Sequence, residues 1–88
     1  MIGWAWSGSA PDAAGCGISP DQVEAFTSAD AWFRKHPAGR VVFGHVRLPE
    51  GGDILAALRG PRGTRLVAAG RGGWQEVSAH DLALRAAS

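Results

Sequence analysis

The chain has no tyrosine, and among its 88 residues methionine, lysine and cysteine each occur once. The lone cysteine, Cys16, excludes an internal disulfide and suits a reducing compartment. It is flanked by Gly15 and Gly17, a pattern without the local signature of a cysteine hydrolase. Cys16, His36, His45 and His80 are scattered and never fall into the paired short spacings of a structural zinc site. No apolar run approaches the roughly 18 residues that a membrane-spanning helix needs. The N-terminus lacks the basic stretch and the continuous apolar stretch of a secretory signal. A net charge of +1 gives no whole-molecule attraction to a polyanion. No internal repeat is present. These absences predict a soluble, cytoplasmic protein with no metal, no cofactor and no catalytic residue.

Glycine, arginine and tryptophan are what the chain has in quantity. It holds 13 glycines and four tryptophans, and arginine outnumbers lysine eight to one. The length predicts one domain, residues 1–88, with just enough chain to support a core.

Residues 19–37, SPDQVEAFTSADAWFRKHP, carry the clearest local pattern. Ser19 reads as an N-cap, with Pro20 at the first helical position and Gln22 at capping-box spacing. Asp21 and Glu24 suit the positive end of the helix dipole, and Arg34, Lys35 and His36 suit the negative end. Pro37 and Gly39 stop the helix. Val23, Phe26, Ala29 or Asp30, and Phe33 form its apolar stripe. Thr27-Ser28-Ala29-Asp30 is a second capping pattern, so one kinked helix and two short ones are both readings of this stretch.

Elsewhere the signal is alternation. In residues 1–7, Ile2, Trp4 and Trp6 share one strand face and are expected to cover the helix. Residues 8–17 are small, Gly-rich and read as a flexible loop. Residues 40–48 form a strand whose cleaner core face is Val42, Val46 and Leu48, with Gly44 marking a bulge or a close approach. Pro49-Glu50-Gly51-Gly52 reads as a turn. Residues 53–59 fit either a short helix capped by Asp53 or a strand, and the regular turn spacing favours the strand. Residues 64–69 and 74–77 are further strands, joined through residues 70–73. Ser78-Ala79-His80-Asp81 opens a short C-terminal helix. The expected fold is α+β, in the order β-α-β-β-β-β-α: a small antiparallel sheet with one main helix across one face.

Chemistry is sparse. The Gly-rich residues 60–63 and 70–73 match no phosphate-binding loop and read as turns. Residues 54–75 contain Arg59, Arg62, Arg65 and Arg71 and no acid, a local +4 that leaves −3 for the rest of the chain. Arginine forks match phosphate and carboxylate geometry, and Trp74 is placed to stack on a partner. Trp32 lies off the main helical stripe, as an exposed aromatic would. The expected function is therefore a non-enzymatic binding or regulatory module. It docks on a protein, or on its own second copy, through Trp32, Trp74 and the arginine-rich turns. The alternative is a nucleic-acid-binding accessory protein that contacts phosphates through residues 59–71. A small Cys16-dependent enzyme ranks third.

Overall fold

The computed structural model describes residues 2–48, 51–60 and 62–87. Five strands form one antiparallel sheet in the order β2-β1-β3-β4-β5, where β1 is Ile2–Ala10, β2 Ala13–Ser19, β3 Arg40–Arg47, β4 Thr64–Ala69 and β5 Trp74–Ser78. The main helix α1 (Gln22–Lys35) connects β2 to β3 and lies across one face. A short helix α2 (Ile54–Leu58) covers the other face, and α3 (Ala79–Ala87) follows β5. The α+β class, the five-stranded antiparallel sheet, the main helix and the short C-terminal helix are all as expected.

Two segments differ from their sequence reading, in opposite directions, so the strand number is unchanged. Residues 8–17 form no loop. They complete β1, turn at Pro11 and Asp12, and form most of β2, paired without a break from Ala10↔Ala13 to Trp4↔Ser19. Residues 53–59 hold a helix instead of a strand. Asp53 caps it, its Oδ1 accepting from the Leu55 N–H at 3.0 Å. The cap and the following Gly60 were legible, but what decides is burial. Leu58 inserts with Val46 and Ala5 into a second small core, which Ile18, Val42, Ile54 and Ala57 flank.

The principal core lies under α1. Val41 and Phe43 of β3, Trp6 of β1, Ala68 of β4 and Ala25 and Ala29 of α1 are buried together, ringed by Trp4, Phe26, Trp32, Phe33, Leu66 and Trp74. This corrects the reading of β3: its better-buried face is Val41 and Phe43, and the face with Val42 and Val46 meets α2. Both faces are covered because a helix packs on each side, so alternation could not rank them. Trp4 and Trp6 do face the main helix, as the alternation in β1 requires.

α1 is one uninterrupted helix, with no break at Thr27-Ser28. Its cap is Asp21, two residues later than expected; Asp21 Oδ1 accepts from the Val23 N–H at 3.0 Å. Ser19 belongs to β2, and its Oγ accepts from the Asp21 N–H at 3.1 Å, shaping the turn into the helix. The helix stops at His36, before Pro37. At the start of α3, Ser78 Oγ accepts from the Asp81 N–H at 3.1 Å, as the capping pattern predicts. Pro49 and Glu50 of the expected turn, and Pro61, lie outside the described residues.

Candidate docking surface

The expected binding residues fall into three environments. Arg59, which ends α2, and Arg62, in the connection to β4, are exposed, as is Arg71 in the 3₁₀ turn Gly70–Gly72 at the opposite end of β4. Arg65 is not a surface residue; it is 3% exposed. Its side chain crosses the β3 backbone at Gly44, where a Cβ would sit 2.5 Å from Arg65 Cδ. Gly44 thus marks a close approach of a side chain, within a register that has no bulge. Arg65 Nε donates to the Leu58 carbonyl and Nη1 to the Thr64 carbonyl, both at 3.1 Å, and Nη2 reaches the Gly60 carbonyl at 3.5 Å. Two of these carbonyls belong to the end of α2, where helix geometry leaves acceptors unpaired. Burial lowers the pKa of this guanidinium from its ordinary value. Arg65 is an internal clamp on α2, unavailable to a ligand.

The two candidate tryptophans are also occupied. Trp32 is half-buried. Its ring lies on Gly8 and Gly15, which face each other across β1 and β2; a Cβ at either would come within 2.6 Å of the indole. Trp6 and His36 flank it, with ring centroids at 6.2 and 4.5 Å. Trp74 is wedged against Phe26, Phe33 and Phe43, and its Nε1 donates to Asp30 Oδ1 at 3.2 Å. Trp32 is partly exposed, as expected, but its ring rests on the glycine floor at the core's margin.

What remains open is one end of the α1 face. α1 lies over β1, β2 and part of β3, where Phe26 meets Phe43, and reaches β5 at Trp74 through Phe26 and Phe33. The other ends of β3, β4 and β5 on that face are left without a helix. There a groove of about 360 Å³ is lined by Trp4, Phe43, His45, Leu66, Glu76 and Gln22, among others. Its floor is the half-buried Trp4 ring, which stacks on the buried Phe43 at 5.5 Å and 13° and on His45 at 4.6 Å and 29°. His45, Glu76 and Gln22 are exposed and give the rim an imidazole, a carboxylate and an amide. Ile2, beyond Trp4 on the same face of β1, is 52% exposed.

Comparison with protein-family models, curated proteins and solved structures finds no match to this chain.

The functional reading therefore rests on geometry. An apolar floor with a polar rim can seat an apolar side chain and fix its orientation by hydrogen bonds. Cys16 is exposed in the middle of β2. Among the described residues, no group of three His, Cys, Asp or Glu side chains converges where a metal ion could sit, and no helix is long and apolar enough to cross a membrane. Sequence reading passed over the groove because Trp4, Phe43 and Leu66 read as ordinary core.

Proposed function

We propose that this chain is a small non-enzymatic binding module, regulatory in role, which docks on a protein partner through the groove over Trp4 and Phe43. The observation that carries the reading is the half-buried Trp4 ring, accessible in that groove beside the N-terminal end of α1 and backed by the buried Phe43. Protein interfaces centre on aromatic anchors ringed by polar groups, and this groove has that composition. A lone, exposed cysteine suits a reducing compartment such as the cytoplasm. The phosphate-binding alternative has weaker support, because Arg65 is committed to carbonyls and Arg71 lies at the far end of β4 from Arg59 and Arg62.

The test is a tagged pull-down from source lysate treated with nuclease, using the wild type and a rim variant, His45→Asp with Glu76→Arg. Both side chains are exposed, so the melting temperature should change little. The reading expects a partner retained by the wild type and lost by the rim variant. A partner that binds the rim variant equally well, or one recovered only when nuclease is omitted, overturns it.

A further inference from the structure

The two edges of the sheet are built differently. β5 is short, carries Glu76 and runs directly into α3. β2 is longer, AAGCGIS, with no charge, no proline and no bulge in its pairing with β1. Among the described residues no strand pairs with its outer side. Sheet edges are ordinarily blunted by charge, proline, bulges or cover, and β2 has none of these. Its midpoint is Cys16, whose side chain is exposed.

Above this edge, α1 presents Glu24, Ser28, Ala31 and Lys35, a stripe with three- and four-residue steps, all exposed. Glu24 and Ser28 line a cleft of about 170 Å³ against Cys16, Gly17, Ile18 and Ser19, which fixes this stripe on the β2 side of the helix. Trp32, over Gly15, lies one turn further along α1. The middle of the stripe, between Ser28 and Ala31, therefore stands over the middle of β2. A two-fold axis perpendicular to the sheet, passing just outside β2 beside Cys16, would pair β2 antiparallel with a second β2. The same axis makes the two α1 helices antiparallel neighbours. It brings Glu24 of one copy to Lys35 of the other, twice, with the small Ser28 and Ala31 at the crossing. Strands sit about 4.8 Å apart, so helices centred over the β1–β2 gaps would lie about 10 Å apart, within helix-packing distance.

We propose that the chain forms a two-fold homodimer through β2, giving one continuous ten-stranded sheet with the two α1 helices paired by Glu24 and Lys35. Two features share one centre: an unprotected neutral edge centred on Cys16, and a charge-complementary helix stripe centred over the same point. The surface is distinct from the groove at Trp4, so changes to the groove rim leave the dimer intact.

Mass measurement by light scattering across a dilution series of the full chain tests this directly. The expected mass is twice 9.1 kDa at the concentrated end. In the dimer the two Cys16 side chains are directly opposed, with Cβ atoms about 5 Å apart, so a short bis-maleimide should link them. Cys16→Ser should abolish the link without changing the mass. Glu24→Lys should raise the dimer Kd roughly ten-fold, since it turns two attractive pairs into repulsive ones. Glu24→Lys with Lys35→Glu should restore it, and circular dichroism confirms the fold of each variant. A monomer throughout the series, a dimer indifferent to Glu24→Lys, no rescue by the double variant, or no Cys16 link overturns the proposal.

Discussion

Two glycine-rich regions flank α1, and they use glycine for different reasons. In β1 and β2, the glycines Gly8, Gly15 and Gly17 sit in regular strand, with φ in the ordinary negative range. What they supply is space. Trp32 lies on Gly8 and Gly15, and the Trp6 indole on Gly17, where a Cβ would meet Nε1 at 2.6 Å. In the connections around β4, Gly63, Gly70 and Gly73 have φ of 87°, 61° and 66°. What they supply is a positive φ, and a Cβ at Gly70 or Gly73 would meet nothing within 4 Å. The first region seats Trp32 and Trp6, and Trp74 follows directly on the second. Trp32 is held by the flatness of its floor, and Trp74 by packing and a hydrogen bond to Asp30. The same residue type is a steric device on one side of the molecule and a backbone device on the other.

The sharpest way to break this comparison is to put a strand-favouring side chain into the floor. By propensity Gly15→Val should stabilise β2. By geometry it should instead be damaging, costing roughly 3 kcal/mol by overpacking against Trp32. Urea unfolding of the variant decides between them. Repeating the change in a Trp32→Ala background should recover most of that cost, a coupling that a double-mutant cycle reads directly.

Next in size is the clamp. Arg65→Ala should cost roughly 2–3 kcal/mol, because it strips charge-assisted bonds from the Leu58 and Thr64 carbonyls. Arg62→Ala, in the same connection but exposed, should stay within about 0.5 kcal/mol. Equal thermal shifts for the two would contradict the internal role of Arg65.

The turn glycines should respond more mildly and with a different preference. Gly70→Ala should cost about 1 kcal/mol, and Gly70→Asn less, because asparagine tolerates the left-handed region. At Gly15 the order should reverse, with asparagine worse than alanine because it is larger. Melting temperatures of these four variants test the distinction between space and φ at its core.

The smallest effect concerns the Trp74 side. The Asp30 carboxyl is held below its ordinary pKa, chiefly by the hydrogen bond from Trp74; burial opposes this, and the hydrogen bond and charge of Arg34 add to the lowering. Arg34 Nε lies 2.9 Å from Asp30 Oδ2, with its side chain largely exposed. A depressed folded pKa means that this stability is present above the unfolded carboxylate value and is lost as pH falls through the folded one. The increment should be under about 1 kcal/mol, given the exposure of the pair. Asp30→Asn should remove this contribution to the acid sensitivity of unfolding; an unchanged pH profile would show that the hydrogen bond from Trp74 does not hold the carboxylate.

Legibility in the sequence tracked how local the cause was. The stop of α1, the Ser78 cap of α3 and the turn at residues 70–73 depend on neighbours within a few residues, and each stands where its pattern puts it. The shift of the α1 cap from Ser19 to Asp21 is the limit of that rule. Both residues can cap, and the pairing of Ser19 with Trp4 in β2 settled which one does. The docking groove was not legible, because it is defined by what α1 fails to cover.

The amino-acid sequence by itself determined the α+β class, the main helix, the strands at β3, β4 and β5, and the absence of an internal disulfide. Only the tertiary structure decided that AAGCGIS is a strand, that residues 53–59 are a helix, and that Arg65 is internal while Arg62 is not. In all three the deciding partner lies on another element. A glycine floor is useful only with an indole above it, a short amphipathic segment takes the form that covers an exposed sheet face, and an arginine is buried where unpaired carbonyls await its donors.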